Sequence, residues 1–171
     1  MIKALIIFVA LLLLNSCASY KLGPDLGGHE TIKLTKVDNA SRDPKLAAYT
    51  ASKVRTEIVS DGSLKLVESD SDLILDVNIV SYKIGSAGST LLESTDNSQR
   101  RYVSSIRRVT VELNFTLKKA NGEVVLKPRK VTGTSEFSDL NDFNLNLQGG
   151  LKQAVHDASK KIISGIVHHR W

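Results

Sequence analysis

The sequence predicts an α+β fold: a two-layer sandwich with two helices packed on one face of a small, mostly antiparallel or mixed sheet of four to five strands. Three observations lead there. Apolar residues recur every three or four positions from Leu46 to Ile58 and again from Leu151 to Ile166, which is the spacing of a helix face. Strict alternation runs from Val109 to Leu117, the spacing of a half-buried strand. Asn121-Gly122 follows that strand closely and is a two-residue hairpin signal. Two amphipathic helices and one sheet bury their apolar faces most simply against each other.

Near its start the chain carries Lys3, followed by an unbroken apolar run from Ala4 to Leu14. This run is shorter than the ~20 residues that span a bilayer, and it has the length of the apolar core of an export signal. It ends on Leu14-Asn15-Ser16-Cys17. A lipoprotein signal peptidase needs this arrangement: Leu three residues before the cleaved bond, a small residue next to it, and Cys just after it to carry a diacylglycerol thioether. Residues 1–16 therefore read as a leader, 17–30 as a lipidated arm and 31–171 as one domain. Cys17 is the only cysteine. No internal disulfide can form, so the domain must be held by packing.

Ala18 to Glu30 is broken by Gly23, Pro24, Gly27 and Gly28 and reads as a turn-rich arm. Thr31 to Val37 alternates as a first strand. Asp43-Pro44 starts a helix, because Asp caps free N–H groups and Pro needs no donor in the first turn. Gly62 ends it as a left-handed cap. Leu64 to Val67 is a short strand and Asp72 to Ile84 a longer one. Leu73, Leu75, Val77 and Ile79 point one way, while Ile74, Val80, Tyr82 and Ile84 add apolar residues to the second face. Such a strand is central or bulged.

Residues 85–101 show no period and read as a long loop, either functional or disordered. Simple pairing around Asn121-Gly122 would place Lys130 opposite Leu113. A one-residue bulge near Pro128 would bring Val131 there instead. The return strand, Val124 to Phe137, is therefore expected to be irregular and edge-like, with Lys127, Arg129 and Lys130 accessible. Gly149-Gly150 is a poor helix interior, so the last helix is expected from Leu151 to about Val167. Trp171 can anchor at an interface or pack beneath the sheet.

The chain carries a net charge of +5, unevenly spread. Between Arg100 and Lys130, nine basic residues stand against Glu112 and Glu123, a local excess of +7. For an exported, tethered protein this field points to lipid phosphate rather than nucleic acid. A solvated, self-repelling surface would explain the same charge without a ligand. Catalytic chemistry finds little support. His156-Asp157 are adjacent on a helix and so diverge. His168-His169 lack metal-ligand spacing, and no Gly-rich loop follows a strand. The sequence offers no catalytic residue, metal set or cofactor site.

The segment Cys17-Ala-Ser-Tyr-Lys-Leu-Gly23 resembles the start of mature LptE-type lipopolysaccharide-assembly lipoproteins. The likeness continues through Thr31-Ile-Lys-Leu-Thr35, the helix after Pro44, Gly62-Ser-Leu-Lys-Leu-Val67, Ser71 to Tyr82, and a last helix closing on Trp171. The resemblance implies a non-enzymatic outer-membrane lipoprotein facing the periplasm or a barrel lumen. Its partners would be an LptD-like β-barrel, which it plugs and helps assemble, and lipopolysaccharide. Basic residues on the sheet side would touch that lipid; here the candidates are Arg100, Arg101, Arg107, Arg108, Lys127 and Arg129. This chain departs from better-known members in its Ser/Thr-rich 85–101 segment and its Gly149-Gly150 pair. An accessory lipoprotein that recruits a periplasmic cell-wall enzyme shares parts of the same element order. The short arm after Cys17 argues for work at the membrane itself. If Cys17 carries the acyl chains, Cys17→Ser should lose all label when cells are fed radioactive palmitate. Retained label would remove the tether.

Overall fold

Hydrophobic alternation and helical spacing resolve into six strands and two helices in a computed structural model, described over residues 26–92, 101–139 and 142–169. Side chains of 89–92 and 101–105 lie outside the description. So do residues 1–25, with Cys17, and also Arg100 and Trp171. The order is β1 (Thr31–Leu34), β2 (Asp38–Asn39), α1 (Lys45–Asp61), β3 (Lys65–Leu66), β4 (Leu73–Leu92), β5 (Arg101–Lys119), β6 (Val124–Ser138) and α2 (Phe143–Val167). The sheet runs β3-β1-β4-β5-β6, and β2 pairs with β4 beyond the end of β1. β1 is parallel to β3 and β4, and β2 is parallel to β4. β4, β5 and β6 form an antiparallel meander. The sheet is thus mixed and has six strands. Its first strand ends at Leu34 rather than Val37, and Asp38–Asn39 continues its track as a separate short strand.

One face of the sheet is apolar and covered by both helices. Leu73, Leu75, Val77 and Ile79 of β4 and Val109, Val111, Leu113, Phe115 and Leu117 of β5 are all buried there. The other face has no helix layer and shows Thr110, Glu112, Asn114 and Thr116, each half-buried. α1 follows the sequence closely. Asp43 Oδ1 accepts the Lys45 N–H at 2.9 Å. Pro44 sits at φ −65°, and Gly62 closes the helix at φ 73°. Leu46, Thr50, Val54 and Ile58 face inward.

Within the expected 85–101 loop, residues 85–92 and Arg101 are strand. β4 continues through Leu92 and β5 begins at Arg101, leaving residues 93–100 outside the description. Polar composition concealed this, because the ladder needs only backbone donors and acceptors. β4 is both central and bulged: Ile79 pairs with Leu113, but Ser81 pairs with Glu112. Val80 is the extra residue, so Tyr82 and Ile84 pair with Val111 and Val109 and share the helix-covered face. They do not lie on the second face as simple alternation implied.

The hairpin at Asn121-Gly122 has a three-residue loop rather than two. Lys119 N–H donates to Glu123 O at 2.8 Å, Gly122 N–H to Lys119 O at 2.9 Å, and Gly122 takes φ 88°. That positive φ is where glycine is needed. The register beyond the turn is the bulged one foreseen from Pro128, with Leu113 facing Val131. β6 is an edge strand.

α2 is longer than its apolar stripe suggests. It begins at Phe143, with Asp142 Oδ1 accepting the Leu145 N–H at 3.0 Å, and runs unbroken through Gly149-Gly150. Tertiary contact overrides the local propensity. A Cβ on Gly150 would meet Phe137 Cδ1 at 2.9 Å and Val109 Cγ1 at 3.3 Å. A Cβ on Gly133 of β6 would collide with Ala154 O and lie 2.6 Å from Ala158 N. The helix and the edge strand meet backbone to backbone. α2 also seals that edge: Asp157 Oδ2 accepts the Thr134 N–H at 3.0 Å, and Lys161 Nζ donates to Thr132 O at 2.8 Å. Burial raises the Asp157 pKa, but bonds from Lys161 and Thr134 outweigh it and hold the group below its ordinary value.

The start of the sheet is tied by one carboxylate. Asp72 Oδ2 accepts the N–H groups of Glu30 and Thr31 at 3.0 and 2.9 Å and the Thr31 hydroxyl at 2.8 Å. These bonds favour the charged form and lower its pKa from 3.8.

Two predictions follow from this packing. Gly133→Val should destabilise by ~1–3 kcal/mol or more through overpacking. Gly149→Ala, whose Cβ meets nothing within 4 Å, should gain ~0.5–1 kcal/mol. Urea titration reads both. Because the folded Asp72 pKa is depressed, its contribution is complete above 3.8 and disappears as the pH falls through the folded value. Asp72→Asn should be less stable than the parent at pH 6, with the gap closing on acidification; a gap constant with pH would refute the tie.

Candidate functional site

The long strands outrun the helices. β4 has 20 residues and spans ~65 Å, whereas the 25 residues of α2 span ~38 Å. The excess forms a ribbon of β4 and β5, flanked by β6 as far as Ser138 opposite Ile106. Ile84 and Ile106 are exposed on it, and Phe143 and Leu145 are exposed at the start of α2. Leu26, buried in the core, and the start of β1 lie at the other end of the sheet, near the Asn121 turn: Ala120 N–H donates to Asp72 O at 3.0 Å.

The basic candidates fall into two groups on this frame. Arg107 sits opposite Phe137, and Arg108 opposite Glu136 on the reverse face. Arg107 Nε donates to Asp139 Oδ2 at 2.5 Å. Arg108 donates to Glu136 Oε1 from Nε at 3.1 Å and Nη2 at 2.6 Å. Lys127 and Arg129 flank Pro128 at the bulge of β6, both exposed, with no ion-pair partner among the described residues. Arg129 faces Phe115, eight residues along β5 from Arg107, a separation of ~27 Å. The structure therefore does not bring the two groups into one site. Arg100 and the Arg101 side chain lie outside the described residues.

Nor does the sequence-local charge of +7 survive folding as a bare field. Besides Arg107 and Arg108, Lys118 pairs with Asp76 at 2.7 Å, Lys119 with Glu123 at 2.9 Å and Lys130 with Glu112 at 2.7 Å. Asp76, Glu136 and Asp139 come from outside the 100–130 stretch, and no local count could include them. Exposed pairs of this kind contribute ~0–1 kcal/mol, so an anion can displace them. Lys127 and Arg129 need no displacement.

His156 Nδ1 lies 2.9 Å from Glu57 Oε1 across the helix pair but is poorly aligned for a hydrogen bond, so the contact is an ion pair only when the ring is protonated. Among the described residues, no three His, Cys, Asp or Glu side chains converge as a metal set. No described helix is long and apolar enough to cross a membrane.

Solved structures share the fold at low identity. A protein from Xanthomonas campestris matches with a TM-score of 0.57 and 14% identity, over 81% of this chain and 84% of its own. A PelC dodecamer from Paraburkholderia phytofirmans matches with a TM-score of 0.53 and 14% identity, over 87% of this chain and 96% of its own. A minor lipoprotein from Acinetobacter baumannii matches with a TM-score of 0.51 and 12% identity, over 81% and 93%. No curated protein matches in sequence. The LptE family model, described as lipopolysaccharide-assembly, matches residues 30–168, from the start of β1 to the end of α2. Over that span this chain belongs to the LptE lipopolysaccharide-assembly family.

Proposed function

We propose that this chain is an outer-membrane lipoprotein tethered through Cys17. It acts as the plug and assembly partner of a large LptD-like β-barrel and helps deliver lipopolysaccharide to the cell surface. Membership of the family over residues 30–168 carries the reading. The geometry supports it in two ways. Leu26, nine residues after Cys17 in the sequence, is buried at the end of the sheet away from the β4–β5 ribbon. A domain tethered there projects its ribbon up to ~65 Å from the anchored end, which suits a body that reaches into a barrel. The second support is the pair of unopposed cations, Lys127 and Arg129, with Arg107 and Arg108 able to exchange Asp139 and Glu136 for lipid phosphate. The role is binding and assembly, not catalysis.

Purification of the tagged chain from outer membranes in mild detergent should bring down a large β-barrel. Recovery of the chain alone would sink the plug reading. Lys127→Glu with Arg129→Glu should weaken lipopolysaccharide binding ~10-fold, or ~1.4 kcal/mol. The loss should be larger at low salt. Arg107→Glu should lose less, because the parent arginine must first leave Asp139. Equal binding by all variants would remove the basic ribbon from the ligand site and leave the barrel partnership standing.

A further inference from the structure

β3 is only Lys65–Leu66 and pairs with Thr31 and Ile32 of β1. Its track ends where Val67 N–H donates to Ile32 O at 3.0 Å. β1 continues past it. Thr35 N–H turns inward to Leu75 O at 3.1 Å, so by alternation the N–H and C=O groups of Leu34, the last residue of β1, point away from β4, into the vacated track. No described backbone group receives them. An open edge of this kind is a template for another strand.

The space beside this edge is a groove of about 440 Å³ between β1 and α1, reaching from Lys33 to Val37. α1 borders it with Ala47, Ala48 and Ala51, whose short side chains leave room where longer ones would fill the track. A strand added in the plane of the sheet would lie ~4.8 Å from β1. Lys33, Lys36 and Arg55 line the same groove and Glu68 is its single acid. Glu68 stands 3.6 Å from Arg55, with both side chains largely exposed. The two lysines have no ion-pair partner among the described residues.

We infer that this groove is a docking site for an extended, acidic segment of a partner protein, which adds as a strand along Leu34–Val37 in continuation of β3. The outward backbone groups of Leu34 supply the first hydrogen bonds. Lys33, Lys36 and Arg55 select carboxylates, and the alanines admit the side chains on the helix side. The inference does not depend on the barrel or lipopolysaccharide reading, because the site is on the opposite side of the sheet from β6 and its cations.

The probe is a fluorescein-labelled octapeptide of alternating Val and Glu, added to the full chain in detergent, with an alternating Val and Lys octapeptide as control. Anisotropy should show binding of the acidic peptide alone. Amide exchange at residues 34–37 should slow on binding. Lys36→Glu with Arg55→Glu, a surface change, should weaken binding at least ~10-fold, and Ala51→Leu should block it by filling the groove, with circular dichroism confirming the fold of both. The inference is overturned if the acidic peptide does not bind, if the two peptides bind equally, or if neither variant affects binding. It is also overturned if vesicles containing phosphatidylglycerol, and not the peptide, protect residues 34–37, since the groove would then be a membrane contact.

Discussion

α2 lies against β6 with no side chain between them at Gly133, and the architecture depends on this contact. A helix whose backbone touches an edge strand has its axis fixed over β5 and β6. Gly150, one turn before Ala154 and pressed by Phe137 and Val109, fixes its depth. From this position Asp157 and Lys161, one turn apart, reach the outward donor and acceptor of Thr134 and Thr132. An edge that would otherwise invite another strand is closed by its own helix. The same placement leaves α1 alone over the β1 side, where β3 is too short to finish the cover. The protected and the open edges of the sheet are thus two results of one packing choice.

Length is the second constraint. Helices rise 1.5 Å per residue and strands about 3.3 Å, so strands of about 20 residues cannot be covered by helices of 17 and 25. The molecule has a packed end, where Asp72 ties β1 to β4, and a ribbon end, where Ile84 and Ile106 are exposed. Arg107 and Arg108 belong to the ribbon end, while Lys127 and Arg129 lie closer to the packed end. A ligand touching all four would have to extend over ~27 Å.

Electrostatics follow the fold rather than the local sequence. Cross-strand neighbours in an antiparallel sheet come from distant positions, so Arg108 meets Glu136 and Lys130 meets Glu112. A run of like charges in one strand can be neutralised by its partners. Within β6 the irregular pairing at the Pro128 bulge leaves Lys127 and Arg129 without an ion-pair partner among the described residues.

The sequence by itself determined the α+β class, the α1 boundaries with Asp43, Pro44 and Gly62, the inward face of β5, and the bulge that sets Val131 against Leu113. Each is a local matter: a cap, a turn, or a period that a wrong register would expose to water. Tertiary structure decided the rest. The 85–92 segment became strand because β5 offered it backbone partners, which polar side chains neither advertise nor forbid. Gly149-Gly150 stayed helical because Gly150 meets Phe137, a neighbour from another element. Tyr82 and Ile84 changed faces because one residue, Val80, was inserted into the ladder. The charge of the 100–130 stretch was reassigned by acids from elsewhere in the chain. In each case the deciding partner lies beyond the window over which a sequence period can be read.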